Sequence, residues 1–371
     1  MEKNKNKQMP LQFLQLNPFL ADTIEKPIEK EITGKDYIIW GLDNLYPQYL
    51  WDLYQKSSTL QAAINSCVNY ILGDEIVSTL EYLNPNDTID DILELITKDY
   101  VLYGGFALNI LRNKFGGIAE VHYLDFKNIR TDKKHTRYWY SEDWFKGKWG
   151  RTKVVEYPPF RGKDINSPSS IYYVSNSRTT VYPIAFWGSA TVAVEAETRI
   201  NEYNLNQIIN GFAPSYIINM NNGLPSDEVK DEIERGFNDK FCGNENAGRM
   251  VIAYNDDKEH ATSIEALPED KNVDKYIETV KRAREVILTA FRLTPNLAGI
   301  VTENLGFNSE EYSQAFKLFS RTVIAPLQKK ISREITRLYP NSKFKIKPFS
   351  IEFDDTKKEE ITVDEEGVKN E

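Results

Sequence analysis

The residue types that most often perform catalysis or bind metals are sparse in this sequence. Its three histidines, His122, His135 and His260, have no ligand spacing to one another or to either cysteine, whereas zinc sites need ligands at short, regular spacings. A glycine-rich phosphate loop ending in Gly-Lys-Ser or Gly-Lys-Thr is also missing, which excludes a P-loop ATPase. We therefore expect no catalytic site, no metal and no cofactor.

One set of residues keeps an enzymatic interpretation open. Glu120 is followed by Asp125-Phe126-Lys127, and carboxylates beside a lysine can hold Mg²⁺ in nucleic-acid enzymes. Short acid-x-Lys strings are common, so ordinary surface residues are the stronger interpretation. Asp354-Asp355 could also hold a metal, but a solvated acidic segment explains this pair better.

A second set of charged residues is basic and lies along segment 272–293, which has the pattern of a helix. Its members are Lys275, Lys281, Arg282, Arg284 and Arg292. Asp274, Glu278 and Glu285 lie nearby, at spacings where opposite charges pair on a helix. Two interpretations stay open: a solvated or subunit-pairing face, and the wall of a channel.

The polar segment 294–308 is the strongest candidate for a functional loop. It is long for a connection between helices, and such loops tend to carry function, while Gly299 and Gly306 give it permissive backbone joints. The residues that we expect to contact a partner are Thr302, Glu303, Asn304, Leu305, Gly306, Phe307 and Asn308. A plain helix–helix connection is the simpler alternative, and deletion of residues 297–306 distinguishes the two.

Two long helices must position this loop. The apolar stripe of the first is Val273, Ile277, Val280, Ile287 and Phe291, and at ~1.5 Å per residue this helix spans roughly 33 Å. The second helix covers 309–340, with an apolar stripe that runs from Tyr312 to Ile335. Pro326 lies in its interior, where a proline removes one backbone hydrogen bond and bends the helix.

Composition sets limits on the rest of the chain. With 371 residues, the chain is long enough for two or three domains. Its net charge is −9, which argues against a surface that grips nucleic acid tightly. No apolar run approaches the ~20 residues of a membrane span, and the two cysteines fit a reduced, cytoplasmic protein.

The order of elements from Ser189 to Tyr339 resembles the core of tailed-bacteriophage portal (head-to-tail connector) proteins. Several local patterns carry this resemblance: 211–215 after a helix, 243–251 before a strand, 291–295 after the next helix, and the spacing of Phe316, Phe319, Arg321, Thr322, Ala325 and Pro326 in the last helix. Only about 30 residues follow Tyr339 in this sequence, so the resemblance implies that a helical crown is absent or reduced.

The resemblance implies an α+β fold of portal type, with a mixed wing, two stem helices flanking a small clip, a tunnel loop and a long proline-kinked wing helix. The implied divisions are an N-terminal arm at 1–35, the wing at 36–188, the first stem helix at 189–213, the βαββ clip at 214–270, the second stem helix at 271–293, the tunnel loop at 294–308, the kinked wing helix at 309–340 and the reduced crown or acidic tail at 341–371.

It also implies a structural, non-enzymatic function. The chain would form a homo-oligomeric ring of twelve copies at one capsid vertex, a conduit for genome packaging and ejection. Implied partners are the large terminase subunit, the major capsid protein or scaffold, the head-tail adaptor and double-stranded DNA, bound non-specifically in the channel, with no membrane. The protein would belong to the virion, after assembly in the host bacterial cytoplasm. Two alternatives stay open: another phage structural or adaptor protein, and a metal-dependent nucleic-acid enzyme.

Overall fold

The computed structural model describes residues 25–145, 153–162, 167–209, 217–220, 226, 228–229, 232, 251–254, 273–300 and 309–350. Helices in chain order are α1 (Tyr46–Lys56), α2 (Ser58–Leu72), α3 (Ile89–Tyr103), α4 (Thr191–Ile209), α5 (Val273–Phe291), α6 (Ser309–Phe319) and α7 (Ala325–Leu338). Strands are β1 (Glu29–Lys30), β2 (Ile39–Trp40), β3 (Glu75–Ser78), β4 (Gly105–Arg112), β5 (Ile118–Leu124), β6 (Ile129–Thr131), β7 (Tyr138–Tyr140), β8 (Val155–Tyr157), β9 (Ser169–Ser175), β10 (Ile217–Met220), β11 (Val251–Tyr254) and β12 (Phe344–Lys347).

Helices α1, α2 and α3 form the helical layer of the wing. The apolar stripe of α2 is buried throughout: Leu60, Ala63, Ile64, Cys67, Val68 and Ile71. Ser57 caps α2 by accepting a hydrogen bond from Leu60 N. Thr88 caps α3 in a reciprocal capping box with Asp91. The buried residues of this helical layer therefore follow the periodicity of the sequence.

The wing also contains two small antiparallel sheets. In the first, β4 lies between β5 and β9, and Asn109 pairs with His122 on one side and Ile171 on the other. Its Phe106, Ala107 and Leu108 are all buried, because the strand is covered on both faces. The second sheet has the order β6-β7-β8. A turn around Gly116 joins β4 to β5.

Two long helices, α4 and α5, pack against each other and form the stem. One face of α5 is apolar and buried, and it carries Ala283, Ile287 and Phe291. Ile277 was predicted to share that stripe, but half of its side chain is exposed. Strands β10 and β11, from the segment between the stem helices, pair in parallel, which is the pairing of a β-α-β crossover.

The last helical stretch runs through α6 and α7 with a π-helical segment, Ser320–Ile324, between them. Ala325 N donates to Ser320 O, five residues back, so the turn is widened directly before Pro326. Proline cannot donate a backbone hydrogen bond, and π-helical bulges and prolines are both sites where helices bend. The structure thus places two bend-forming features next to each other.

After α7 the chain returns to the wing. Strand β12 pairs antiparallel with β3, with Ile346 opposite Ile76. This strand was not predicted from the sequence, since its Phe-Lys-Ile-Lys alternation is short and lies in the segment assigned to a reduced crown or tail. Residues 344–347 therefore complete a two-stranded sheet of the wing.

Stem helix α5 ends in a Schellman motif with an unusual residue. Leu293 N donates to Leu288 O and Arg292 N donates to Thr289 O, both at 3.0 Å, which is the paired pattern of that motif. Arg292 occupies its left-handed position, with φ of 57°. Glycine is the usual residue there because a side chain costs roughly 1 kcal/mol in this conformation.

We expect Arg292→Gly to stabilise the protein by about 0.5–1 kcal/mol, because glycine adopts positive φ without steric cost. Chemical denaturation of the two proteins measures the difference in free energy of unfolding. Arg292→Val is the matched control, and this β-branched residue should lower stability instead. Equal stability of the glycine and valine variants would contradict the assigned backbone conformation.

Candidate functional site

The predicted loop contacts lie outside the described residues. Thr302, Glu303, Asn304, Leu305, Gly306, Phe307 and Asn308 all fall in the segment 301–308. The residues on either side of this segment are described, and they fix its two ends at Ile300 and at the start of α6. The proposal that these residues contact a partner therefore stays a prediction.

The first residues of the predicted loop do not form an open loop in the structure. Residues Pro295–Ala298 form a short 3-10 helix, and Leu297 and Ala298 are buried. Tyr70 Oη donates to Leu297 O at 2.9 Å, which ties this turn to α2. The segment free to act as a loop therefore begins after Ile300, and a deletion that starts at residue 297 would remove part of the core.

The basic residues of α5 do not all share one surface. Lys281 and Arg282 are exposed on the face opposite the buried Ala283 and Ile287, together with Glu278 and Glu285. This surface therefore carries charges of both signs at helical spacing. We call it the balanced face of α5.

The other three predicted basic residues lie elsewhere. Arg284 is half-buried at the flank of the helix, and the side chain of Lys275 lies outside the described residues. Arg292 follows the helix and lines a cavity beside Phe291 and Pro326. The predicted basic set is thus split, and two of its members, Lys281 and Arg282, remain candidates for a channel wall.

A buried carboxylate joins the stem to the wing. Glu197 of α4 is only 2% exposed, and it accepts hydrogen bonds from Ser57 Oγ at 2.5 Å and Thr59 Oγ1 at 2.7 Å, with Ser58 Oγ at 3.3 Å. These hydroxyls stand at the N-terminus of α2, where exposed backbone N–H groups favour a negative charge. Glu197 therefore fixes the position of the first stem helix on the wing.

Neighbouring contacts extend this joint along α4. Tyr49 Oη donates to Glu195 Oε1 at 2.9 Å, and Lys56 Nζ lies 3.8 Å from Glu202. Burial raises the pKa of Tyr49, and the nearby Glu195 carboxylate raises it further. Sequence reasoning missed this joint, since its partners are about 140 residues apart along the chain.

We expect Glu197→Ala to lower the free energy of unfolding by about 2–4 kcal/mol, because it leaves buried hydroxyls without an acceptor. Glu202→Ala, on the same helix but exposed, is the matched control and should change stability by less than about 1 kcal/mol. Urea denaturation of both variants checks this difference. Similar values for the two variants would show that the Glu197 carboxylate does not hold the joint.

The carboxylates of the enzymatic alternative have separate partners. Glu120 Oε2 lies 2.8 Å from His122 Nε2, whereas Asp125 forms an ion pair with Lys127. Nearby, burial raises the pKa of Asp99 well above its usual range, and the adjacent Asp125 raises it further. In the parts of the chain that the structure describes, no three His, Cys, Asp or Glu residues are grouped so as to hold a metal ion.

No described helix is both long and apolar enough to cross a membrane.

A family model described as "Phage portal protein" matches residues 64–365. An uncharacterized protein of Rickettsia bellii (strain RML369-C) is 27% identical over 184 residues, which is 48% of this chain and 46% of that protein. A second one, from Rickettsia felis (strain ATCC VR-1525 / URRWXCal2), is 28% identical over 160 residues, 43% of this chain and 40% of that protein. The chain thus spans less than half the length of these curated relatives.

Solved structures show a similar fold. A chain from the virion of a native gene transfer agent (GTA) particle matches with a TM-score of 0.52 at 16% identity, covering 81% of this chain and 83% of that chain. A chain from the neck of a native GTA particle, computed with C12 symmetry, gives a TM-score of 0.50 at 18% identity, covering 79% of this chain and 80% of that chain. Identities this low establish likeness of fold.

Proposed function

This chain belongs to the phage portal protein family, and from that premise we propose that it is the ring-forming subunit of a conduit for DNA at one capsid vertex. The family is a structural one, so the proposed function involves no catalysis. In the proposed ring, copies of the stem formed by α4 and α5 surround a central channel. A ring of twelve copies is our working number, in keeping with the C12 symmetry stated for the neck of the similar GTA particle.

The observation that carries this proposal is the apolar surface of the stem. On α5, Ile277 is 50% exposed and Val286 is 40% exposed. They are nine positions apart, which is two and a half turns at 3.6 residues per turn, so they lie on opposite flanks of the helix. A closed ring uses two different surfaces of each subunit, one for each neighbour.

The first stem helix adds apolar surface. Val192 is 63% exposed and Leu205 is 56% exposed, and thirteen positions separate them along α4. Large apolar side chains on several sides of a two-helix stem are costly in water, and neighbouring subunits would cover them. This arrangement supports a stem that is completed by assembly.

We propose the balanced face of α5 as a candidate channel wall. A conduit must let a polyanion move past it, and tight binding through clustered lysines and arginines would oppose such movement. A surface with charges of both signs attracts DNA weakly. The segment 302–308 would then supply non-specific contacts to double-stranded DNA, through Thr302, Glu303 and Asn304.

The proposed partners follow from the membership of the portal protein family. The segment between α4 and α5 would form the clip that docks the large terminase subunit and later the head-tail adaptor. The wing would contact the major capsid protein or scaffold. The assembled ring would belong to the virion, after assembly in the host bacterial cytoplasm.

We expect Ile277→Glu to prevent ring formation, because a charge buried at each apolar subunit interface costs at least about 2 kcal/mol and the ring repeats that interface. Size-exclusion chromatography with light scattering measures the assembly state. Phe115→Glu is the matched control, since Phe115 is 86% exposed at the β4–β5 turn and should leave assembly unchanged. Rings formed normally by Ile277→Glu would contradict the proposed interface.

A further inference from the structure

A cavity of about 310 Å³ opens where the end of α5 meets the wing. Its walls come from α2, α3, the end of α5, the π-helical segment and the start of α7. Apolar groups dominate its lining, which includes Cys67, Val101, Phe186, Val323, Pro326 and Leu327. Phe186 is 42% exposed, so an apolar side chain from outside could pack against it.

Cations follow the cavity-lining residues Pro326 and Leu327 along α7. Lys330 follows Leu327 by about one helical turn, and its Nζ lies 5.0 Å from the centre of the Tyr100 ring, which in turn lies 5.6 Å from the Phe186 ring. Lys330 Nζ also donates to Ser175 O at 3.4 Å, which places it near Arg178. Arg292 lines the cavity itself. We name the cavity, together with the cations grouped around Lys330 and Glu334, the wing groove; these cations are Arg178, Lys330, Arg333 and Arg337.

One carboxylate lies among these cations and is already occupied. Glu334 accepts hydrogen bonds from Tyr172 Oη at 2.8 Å, from Arg333 Nη2 at 3.0 Å and from Arg337 Nη1 at 2.8 Å. Burial alone would raise the pKa of Glu334, but these hydrogen bonds outweigh it and hold the pKa below its ordinary value. The cluster of four cations and Glu334 thus keeps a surplus of positive charge.

The surplus of positive charge affects the protonation of Lys330. Burial lowers the pKa of Lys330, and the nearby Arg333 and Arg178 lower it further, while Glu334 opposes them. The Lys330 ammonium group is therefore placed where an additional negative charge would stabilise it. An occupant of the wing groove needs acidic groups for its border and apolar groups for its cavity.

We propose that residues 351–371 of the same chain bind in the wing groove. This segment contains nine Asp and Glu residues against three Lys, so its charge complements the border. Apolar residues alternate with the acids at its start, in the order Ile351, Glu352, Phe353 and Asp354. Phe353 would enter the cavity while Asp354 and Asp355 reach Lys330 and Arg178.

Geometry favours the subunit's own segment over that of a neighbour. Ser350 N donates to Asp74 Oδ2 at 3.0 Å, and the Phe349 ring lies 5.2 Å from the Tyr70 ring. Tyr70 is one turn of α2 beyond Cys67, a residue of the cavity wall. At about 3.3 Å per extended residue the segment can reach the whole groove, and tethering gives it a high effective concentration. The proposal is independent of ring formation.

Photochemical cross-linking in the full-length protein tests this proposal. Phe353 is replaced by the photoreactive residue p-benzoylphenylalanine, the protein is irradiated, and mass spectrometry locates the adduct. We expect adducts on residues of the wing groove, within a single chain that runs at 42.9 kDa on a denaturing gel. Adducts at another surface, or at twice that mass, would overturn the assignment to the same subunit.

Charge reversal supplies the matched control. Arg178→Glu combined with Lys330→Glu leaves the hydrogen bonds of Glu334 in place and should lower the adduct yield about tenfold, since two attractive contacts become repulsive. Raising the salt concentration should lower the yield in the same direction. A yield unaffected by both changes would overturn the proposed charge complementarity. Thermal denaturation of the double variant confirms that the wing is folded.

Discussion

Deletion of residues 302–306 is expected to leave ring assembly intact and to lower DNA packaging strongly, because it removes the side chains that we propose contact DNA. The deletion keeps Leu297, whose carbonyl oxygen accepts a hydrogen bond from Tyr70. Assembly should therefore be unchanged, because the wing and the stem retain their contacts. Packaging by purified procapsids, measured as nuclease-protected DNA, checks the result.

Two further variants separate the possible causes. Replacement of Thr302, Glu303 and Asn304 by glycine keeps the length of the segment and removes its side chains, so a similar loss of packaging would assign the effect to those side chains. A longer deletion, 297–306, should destabilise the fold itself, since Leu297 and Ala298 are buried. Normal packaging by the 302–306 deletion would refute the proposed contact with DNA.

Arg130→Met is expected to lower the free energy of unfolding by about 3–5 kcal/mol, because it leaves several buried oxygen atoms without a donor. Arg130 is fully buried in the wing. Its guanidinium donates to Asn44 Oδ1 at 2.7 Å, to Lys127 O at 2.8 Å and to Ile129 O at 2.7 Å. It also lies 4.9 Å from the centre of the Trp144 ring.

The charge of this arginine persists in the core. Burial lowers the pKa of Arg130 to about 10, which is still well above neutral pH. Its hydrogen-bond acceptors within the described residues are carbonyl and amide oxygens, so these dipoles and the aromatic rings stabilise the cation. Removal of Arg130 therefore breaks a network that joins β6 to the start of α1.

Arg137→Met is the matched control for this experiment. Arg137 is 46% exposed at its side chain, and its ion pairs with Glu156 and Asp36 are 3.7 and 3.9 Å long, so the change should cost less than about 1 kcal/mol. Guanidinium denaturation followed by tryptophan fluorescence measures both variants. A loss for Arg130→Met as small as for Arg137→Met would show that the buried network contributes little.

Local signals in the sequence account for much of the fold. The buried stripe of α2, its cap at Ser57 and the end of α3 at Gly104 follow from periodicity and from residues with specific cap and turn preferences. The β4–β5 hairpin follows from the Gly116-Gly117 turn. Each of these features depends on residues that are close in sequence.

Features that depend on distant residues were not predicted. The buried Arg130 needs Asn44, 86 residues away, and the Glu197 joint needs Ser57, 140 residues away. Ile277 has the spacing of a core residue, yet it is 50% exposed. Periodicity identifies an apolar residue, but the neighbouring element determines whether that residue is buried within one subunit.

The function of the candidate site stays a prediction. The sequence pointed to α5 and to the segment after it, whereas the structure divides the basic residues between the balanced face, a flank and the Arg292 turn. The short 3-10 helix at Pro295–Ala298 had one local signal, a proline at its start. Its burial through Leu297 depends on Tyr70, which only the folded wing brings near.

End-on electron microscopy of the purified protein tests the central claim most directly. We expect closed rings with an axial hole, in which α4 and α5 of each subunit face the channel and the exposed Ile277 and Val286 meet neighbouring subunits. Monomers or open chains of subunits at high protein concentration, or rings in which the stem helices lie on the outer rim, would contradict it.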